Sequence, residues 1–225
     1  PGKFMASSNM FSIRIIGKGG HHSRPWDCID PILIASEFIK SINIEMQNRI
    51  DPAKYVLGFG RIEGGAQFNR TPDDVSILGS YRTFDENDTR TIDDMIRQTL
   101  ESLIKKYTKT GYEGIPKYEL EILHGYPVLV NDEVFTKAVF EVLKNKFPDV
   151  DGNTKPIFGA EDFAFYLEKV PGTFLSLGTE NVQKGIVERN HSNRFDIDEN
   201  ILITGTNVLQ TIVLDFLENT GDYIL

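Results

Sequence analysis

Between Met10 and His124 the apolar residues change period in the order two, 3.6, two, two, 3.6, two, and that succession restricts the possible folds more than any single motif. Phe11, Ile13 and Ile15 alternate with Ser12 and Arg14 through Ile16, the pattern of a half-buried strand. Asp30 is placed to cap a helix and Pro31 suits its first turn. Ala35, Phe38, Ile39, Ile42 and Met46 then recur at helical spacing to about Arg49. Two β-rich runs, Tyr55 to Ile62 and Val75 to Phe84, flank a loop containing Gly-Gly and Pro-Asp. Ile92, Met95, Ile96, Leu100, Leu103, Ile104 and Tyr107 predict a second amphipathic helix stopping at Gly111. Tyr118, Leu120 and Ile122 alternate with Glu119 and Glu121 in a last strand. A βαββαβ order predicts a ferredoxin-like unit, four antiparallel strands with both helices on one face.

After Tyr126-Pro127 the pattern changes. Asn131 is placed to cap a helix through about Lys146, Gly159 to Leu167 reads as a turn and short helix, and Thr173 to Leu177 as a short buried strand. The run from about Glu199 to Leu217 is apolar on most faces, which predicts a buried helix. These elements alternate as in an α/β fold but supply too few strands to complete a sheet, so the expected architecture is α/β with an incomplete second domain.

Composition narrows the function. With 225 residues and 40% hydrophobic content the chain can bury a sizeable core. The net charge of −9 lacks the basic excess that nucleic-acid backbones select for, so no nucleic-acid partner is expected. Ile201 to Leu217 is interrupted by Thr204, Gly205, Asn207, Gln210, Thr211 and Asp215, so no membrane partner is expected either. The single cysteine, Cys28, excludes an internal disulfide framework and fits a cytoplasmic location. Pro1-Gly2-Lys3 lacks an initiator methionine and a signal pattern, so the chain reads as part of something longer.

Four segments carry chemistry. Gly17-Lys18-Gly19-Gly20-His21-His22-Ser23-Arg24-Pro25 reads as a sharp strand exit, its three glycines allowing backbone angles that other residues avoid and presenting an imidazole. Gly64-Gly65-Ala66-Gln67-Phe68-Asn69-Arg70-Thr71-Pro72-Asp73 precedes Ile77 to Phe84. Gly159-Ala160-Glu161-Asp162-Phe163-Ala164 precedes His191-Ser192-Asn193-Arg194-Phe195-Asp196-Ile197-Asp198-Glu199. In this order and spacing, from Gly17 to Glu199, the chain resembles the zinc-dependent aminoacylase and carboxypeptidase family. The resemblance is to its amidohydrolase branch of hippurate hydrolases, N-acyl-amino-acid amidohydrolases, auxin-conjugate hydrolases and archaeal thermostable carboxypeptidases.

The resemblance implies a lid or dimerisation domain at residues 10–124, with residues 1–9 and 125–225 belonging to a catalytic domain. The implied reaction is metal-assisted hydrolysis of an amide in N-acyl amino acids or peptides with a free α-carboxylate. The implied cofactor is a divalent metal, two zinc ions, with cobalt or manganese suiting the same ligands. His191 matches the last metal ligand, with Asp196 or Asp198 behind it or capping the next helix. His21 matches a lid histidine that acts across a homodimer on the oxyanion, and Asn69 and Arg82 match substrate-contacting lid residues. Gly159, Glu161 and Asp162 are expected to line the pocket, the two acids also capping a helix. The resemblance also implies that the remaining metal ligands precede this chain. A homodimer through the lid, or a tetramer built from it, is expected. His22 receives no role, and His124, near a strand end, reads as a structural polar residue.

Four histidines without a His-x-Asp pair, a Glu-Glu pair or a His-Glu-x-x-His helix cannot on their own supply a hydrolytic metal site, which needs at least three ligands. The rival reading is therefore a non-catalytic dimerisation or regulatory module with a ferredoxin-like fold. His191 and the Gly159 to Phe163 segment favour the enzyme, since a bare lid needs neither.

Overall fold

The computed structural model describes residues 1–112 and 114–223. Glu113, inside the segment 10–124, and Ile224 and Leu225 lie outside the described residues. Thirteen elements matter: β1 (Gly2–Met5), β2 (Asn9–Ile16), β3 (Gly20–His21), α1 (Pro31–Arg49), β4 (Tyr55–Glu63), β5 (Arg70–Thr71), β6 (Asp74–Thr83), α2 (Glu86–Tyr107), β7 (Lys117–His124), β8 (Leu129–Asn131), α3 (Glu133–Lys144), α4 (Ala164–Leu167) and α5 (Ile201–Glu218). The chain divides into two compact units. One comprises Met5–Leu129 and Pro156–Phe165, the other Pro1–Phe4, Val130–Lys155 and Tyr166–Leu225.

In the first unit, the strands follow the order β4-β6-β2-β7, antiparallel throughout, so the predicted ferredoxin-like sheet is present. Ile13 stands opposite Ile77 on one side and Leu120 on the other. The alternating residues Phe11, Ile13 and Ile15 of β2 are buried against Ile34, Phe38, Ile42 and Met46 of α1 and Ile92, Ile96 and Leu100 of α2, which puts both helices on one face. The Asp30 carboxylate accepts the N–H groups of Ile32 at 2.9 Å and Leu33 at 3.4 Å, the cap its sequence position predicts. Between the helices, Glu37 accepts from Lys106 and, at 2.7 Å, from the Tyr107 hydroxyl, whose pKa that bond pushes up to about 12. α2 ends at Tyr107 rather than at Gly111, because Thr108 satisfies the Ile104 carbonyl with both its N–H and its hydroxyl.

His124 closes β7 as a structural residue. Its Nδ1 lies 2.9 Å from Asn9 Oδ1 and its Nε2 3.2 Å from the Asp93 carboxylate, which also accepts the buried Tyr81 hydroxyl. Desolvation and that carboxylate raise the Tyr81 pKa, so its phenol stays protonated.

In the second unit, β1 and β8 pair. Asn131 does not cap α3. Its side chain brackets Phe174 instead, accepting the N–H at 2.7 Å and donating to the carbonyl at 3.1 Å, while Asp132 caps the helix through the Phe135 N–H at 2.8 Å. Thr173 to Leu177 is not a strand, and Leu175 and Leu177 are exposed. Val139, Leu143 and Tyr223 form a small core with Phe135, Val208, Ile212 and Phe216 around them.

The expected burial of the last helix is overturned: Thr211 alone is buried on α5, while Leu202, Ile203, Leu209, Val213, Leu214 and Leu217 are exposed. By length and composition α5 is also apolar enough to cross a membrane despite the interruptions named above, because they bring few charges. Its packed side meets the α3 core, where Asp215 accepts the Tyr223 hydroxyl at 2.7 Å.

Candidate functional site

The glycine-rich turn works by close approach, not by unusual backbone angles: Gly17, Gly19 and Gly20 all have ordinary φ. A Cβ on Gly17 would stand 2.2 Å from the Ile29 carbonyl oxygen. One on Gly19 would meet Asp73 Oδ1 at 2.7 Å and the Thr71 carbonyl oxygen at 2.8 Å. The Asp73 carboxylate accepts the Gly19 N–H at 3.0 Å. This packing seats β3 on β5, with Gly20 opposite Thr71 and His21 opposite Arg70. The ladder continues one residue further, where the His22 N–H donates to the Asn69 carbonyl at 3.1 Å. His21 and Asn69, 48 residues apart in sequence, are thus brought to one place in the first unit.

The His21 ring is oriented. The Ser23 backbone N–H donates to Nδ1 at 3.1 Å, with the Ser23 hydroxyl 2.8 Å from the same nitrogen. A backbone N–H can only donate, so Nδ1 is the acceptor, and the hydrogen-bond network assigns the ring proton to Nε2. The imidazole therefore keeps one N–H donor outside its own loop. His22 is exposed and its ring adds nothing to this arrangement.

Arg82, near the end of β6, is half-buried and donates from Nη1 to the Phe158 carbonyl at 2.7 Å. The Ala6 N–H reaches the carbonyls of Ile157 at 3.1 Å and Gly159 at 2.9 Å, and the rings of Phe84 and Phe158 lie 4.7 Å apart. Arg82 and the Gly159 segment are therefore neighbours within this unit. Next to them Glu161 Oε1 accepts the Asp162 N–H at 3.1 Å. The Glu161 and Asp162 carbonyls accept from Ala164 and Phe165 at 3.3 and 3.0 Å as α4 begins. Glu161 thus uses its side chain on the adjacent backbone.

His191 belongs to the second unit. Its φ of +70° is the one left-handed backbone among the described non-glycine residues, its side chain is exposed, and it is the third residue of a turn closed by Ser192 N–H to the Arg189 carbonyl at 3.1 Å. Asp198 braces this loop. It accepts from Lys184 Nζ at 2.6 Å and Asn181 Nδ2 at 2.7 Å, and the hydrogen bond from Lys184, then that from Asn181, lowers its pKa to about 2. Asp198 also accepts the Asn200 N–H at 3.3 Å, while Asp196 accepts the Ile197 N–H at 2.8 Å; neither acid acts on His191 through these bonds. Among the described residues no three His, Cys, Asp or Glu side chains come together to hold a metal ion. One imidazole is short of the three or more ligands of a hydrolytic centre, so these residues alone do not fit the metal. Two contributors went unread in the sequence, Asp73 beneath Gly19 and Phe158, whose carbonyl holds Arg82. Pro72-Asp73 closing the glycine-rich loop was the available signal for the first.

Most of the chain, these segments included, falls within the span that matches a known family. The model of peptidase family M20/M25/M40 matches residues 8–215. Thermostable carboxypeptidase 1 of Saccharolobus solfataricus is 35% identical over 206 residues, covering 91% of this chain and 50% of that protein. IAA-amino acid hydrolase ILR1-like 4 of Arabidopsis thaliana is 30% identical over 223 residues, covering 96% of this chain and 49% of that protein. The crystal structure of Bacillus subtilis YXEP, described as a dinuclear metal binding peptidase, superposes with a TM-score of 0.74 at 26% identity, covering 96% of this chain and 52% of that one. The chain spans about half the length of the relatives it matches.

Proposed function

Since the chain belongs to peptidase family M20/M25/M40, we propose that it carries the lid and the C-terminal part of a metal-dependent hydrolase. The bond cleaved is an amide in N-acyl amino acids or in peptides with a free α-carboxylate. Relatives named a carboxypeptidase and an amino acid hydrolase support substrates that present an amino acid.

The observation that carries the finer reading is the oriented imidazole on the strand that is fastened to the Asn69 loop. With Nδ1 occupied by Ser23, His21 offers Nε2–H as a fixed donor, the geometry that stabilises charge developing on a carbonyl oxygen. In this reading His21 acts across a homodimer formed through the sheet-bearing unit, alone or within a tetramer. Asn69 contacts the substrate. Arg82, steadied by Phe158, offers its guanidinium to the α-carboxylate. Gly159, Glu161 and Asp162 line the pocket. His191 is the one metal ligand from this chain, the metal being zinc, with cobalt or manganese as alternatives. The remaining ligands come from the further length of a relative-sized protein. The protein acts in the cytoplasm.

The test is hydrolysis of N-acyl amino acids by the full-length protein, with elemental analysis before and after chelation. Turnover lost on chelation and regained with the metal supports the reading. Turnover insensitive to complete metal removal, or no hydrolysis of any amide substrate, contradicts it and favours a non-catalytic module.

A further inference from the structure

Phe68 is 93% exposed, more than any other large apolar residue among the described ones, and Trp26 is 65% exposed. Both flank the ladder that joins His21 to Asn69, and neither sits on slack chain. Phe68 directly precedes Asn69, whose carbonyl is fastened to the His22 N–H. Trp26 lies on a short turn tied to the same strand: the Arg24 N–H bonds the His21 carbonyl at 2.9 Å, and the Cys28 N–H bonds the Pro25 carbonyl at 3.2 Å. The cations beside both rings are engaged locally, Arg24 with Asp27 at 2.7 Å and Arg70 with Asp73 at 3.4 Å. What this edge offers a ligand is therefore apolar surface rather than anion capture. The cavity within the loop is lined by residues such as Gly64, Gly65, Gln67, Arg70 and Pro72, so Phe68 does not serve to fill it.

On the function proposed above, we infer that Phe68 and Trp26 are specificity-determining residues that close over the apolar part of the acyl group. An exposed aromatic ring beside the oxyanion donor gains contact only when a large acyl group is bound. It therefore favours large over small acyl groups, on the scale of roughly 10–200-fold seen for single apolar contacts.

The experiment compares kcat/KM of the full-length protein for N-acetyl, N-hexanoyl and N-benzoyl derivatives of one amino acid. Phe68→Ala and Trp26→Ala are expected to lower the ratio of hexanoyl or benzoyl to acetyl by at least about 10-fold, and Phe68→Leu to restore most of it. Both residues are exposed, so these variants remove nothing from the core. Equal losses on all three substrates, an unchanged ratio, or loss of dimer in sedimentation with uniform inactivation overturns the inference while leaving the proposed function standing. Failure of the unmodified protein to hydrolyse any of the three overturns both.

Discussion

The two units solve the problem of burial differently. The sheet-bearing unit closes its own core: eighteen buried residues from β2, α1, β6, α2 and their flanks pack together, ten of them contributed by the two helices. Among its described apolar residues the unit built on α3 and α5 buries only Val139, Leu143 and Tyr223, and it leaves six large apolar residues of α5 in the open. An apolar surface of that kind marks a site for covering. The first unit thus closes on itself as a platform for loops, while the second leaves an apolar face of α5 uncovered.

The sharpest way to break this division is through the loop the platform carries. His21→Ala in the full-length protein is expected to lower kcat by about 100-fold or more, the loss of one oxyanion donor, with unfolding unaffected. An unchanged kcat returns His21 to a solvated loop residue. Second in size is packing. Phe38→Ala, at a fully buried site of the platform, is expected to cost about 3–5 kcal/mol in urea unfolding. Leu209→Ala on the open face of α5 is expected to cost less than about 0.5 kcal/mol in the 225-residue chain. Comparable losses at both positions mean that α5 is covered in solution and the contrast is false.

Much of the platform was legible because its signals are local. Asp30 and Pro31 start α1 by satisfying or omitting N–H groups, and the alternation in β2 assigns one face to the core whatever its neighbours are. The failures share a different cause. Asn131 and Asp132 are both competent caps, and the choice between them was made by Phe174, which claims the Asn131 amide from 43 residues away. The fate of Thr173 to Leu177 and of α5 depends on which surfaces meet them, information that no periodicity carries. At the site, the sequence offered His21 and Asn69 as separate motifs. Their union comes from the β3–β5 ladder, and the glycines that permit it do so by steric clearance rather than by the backbone angles expected of them.

Arg82→Ala in the full-length protein is expected to raise KM for substrates with a free carboxylate by about 10-fold or more relative to their amides, because a charge-assisted hydrogen bond to the carboxylate is lost. Equal losses on both substrates make Arg82 a strut for Phe158 only. In the second unit, the carboxyl of Asp198 has a folded pKa of about 2 against an ordinary value of 3.8. A depressed pKa means its contribution to stability is present above about pH 4 and fades as pH falls through 2. Asp198→Asn is therefore expected to destabilise the His191 loop at neutral pH and to converge with the unmodified protein in acid. A difference that persists unchanged at pH 2 rejects the Lys184–Asp198 brace.

We propose that the platform's loop completes an active site in the opposite protomer. It is tested most directly by mixing two full-length variants, His21→Ala and His191→Ala, each expected to be nearly inactive alone. After subunit exchange, a mixed dimer holds one site with an intact His191 facing an intact His21 of the partner chain, and hydrolysis is predicted to reappear. Exchange demonstrated by mass with no recovery of hydrolysis contradicts the account.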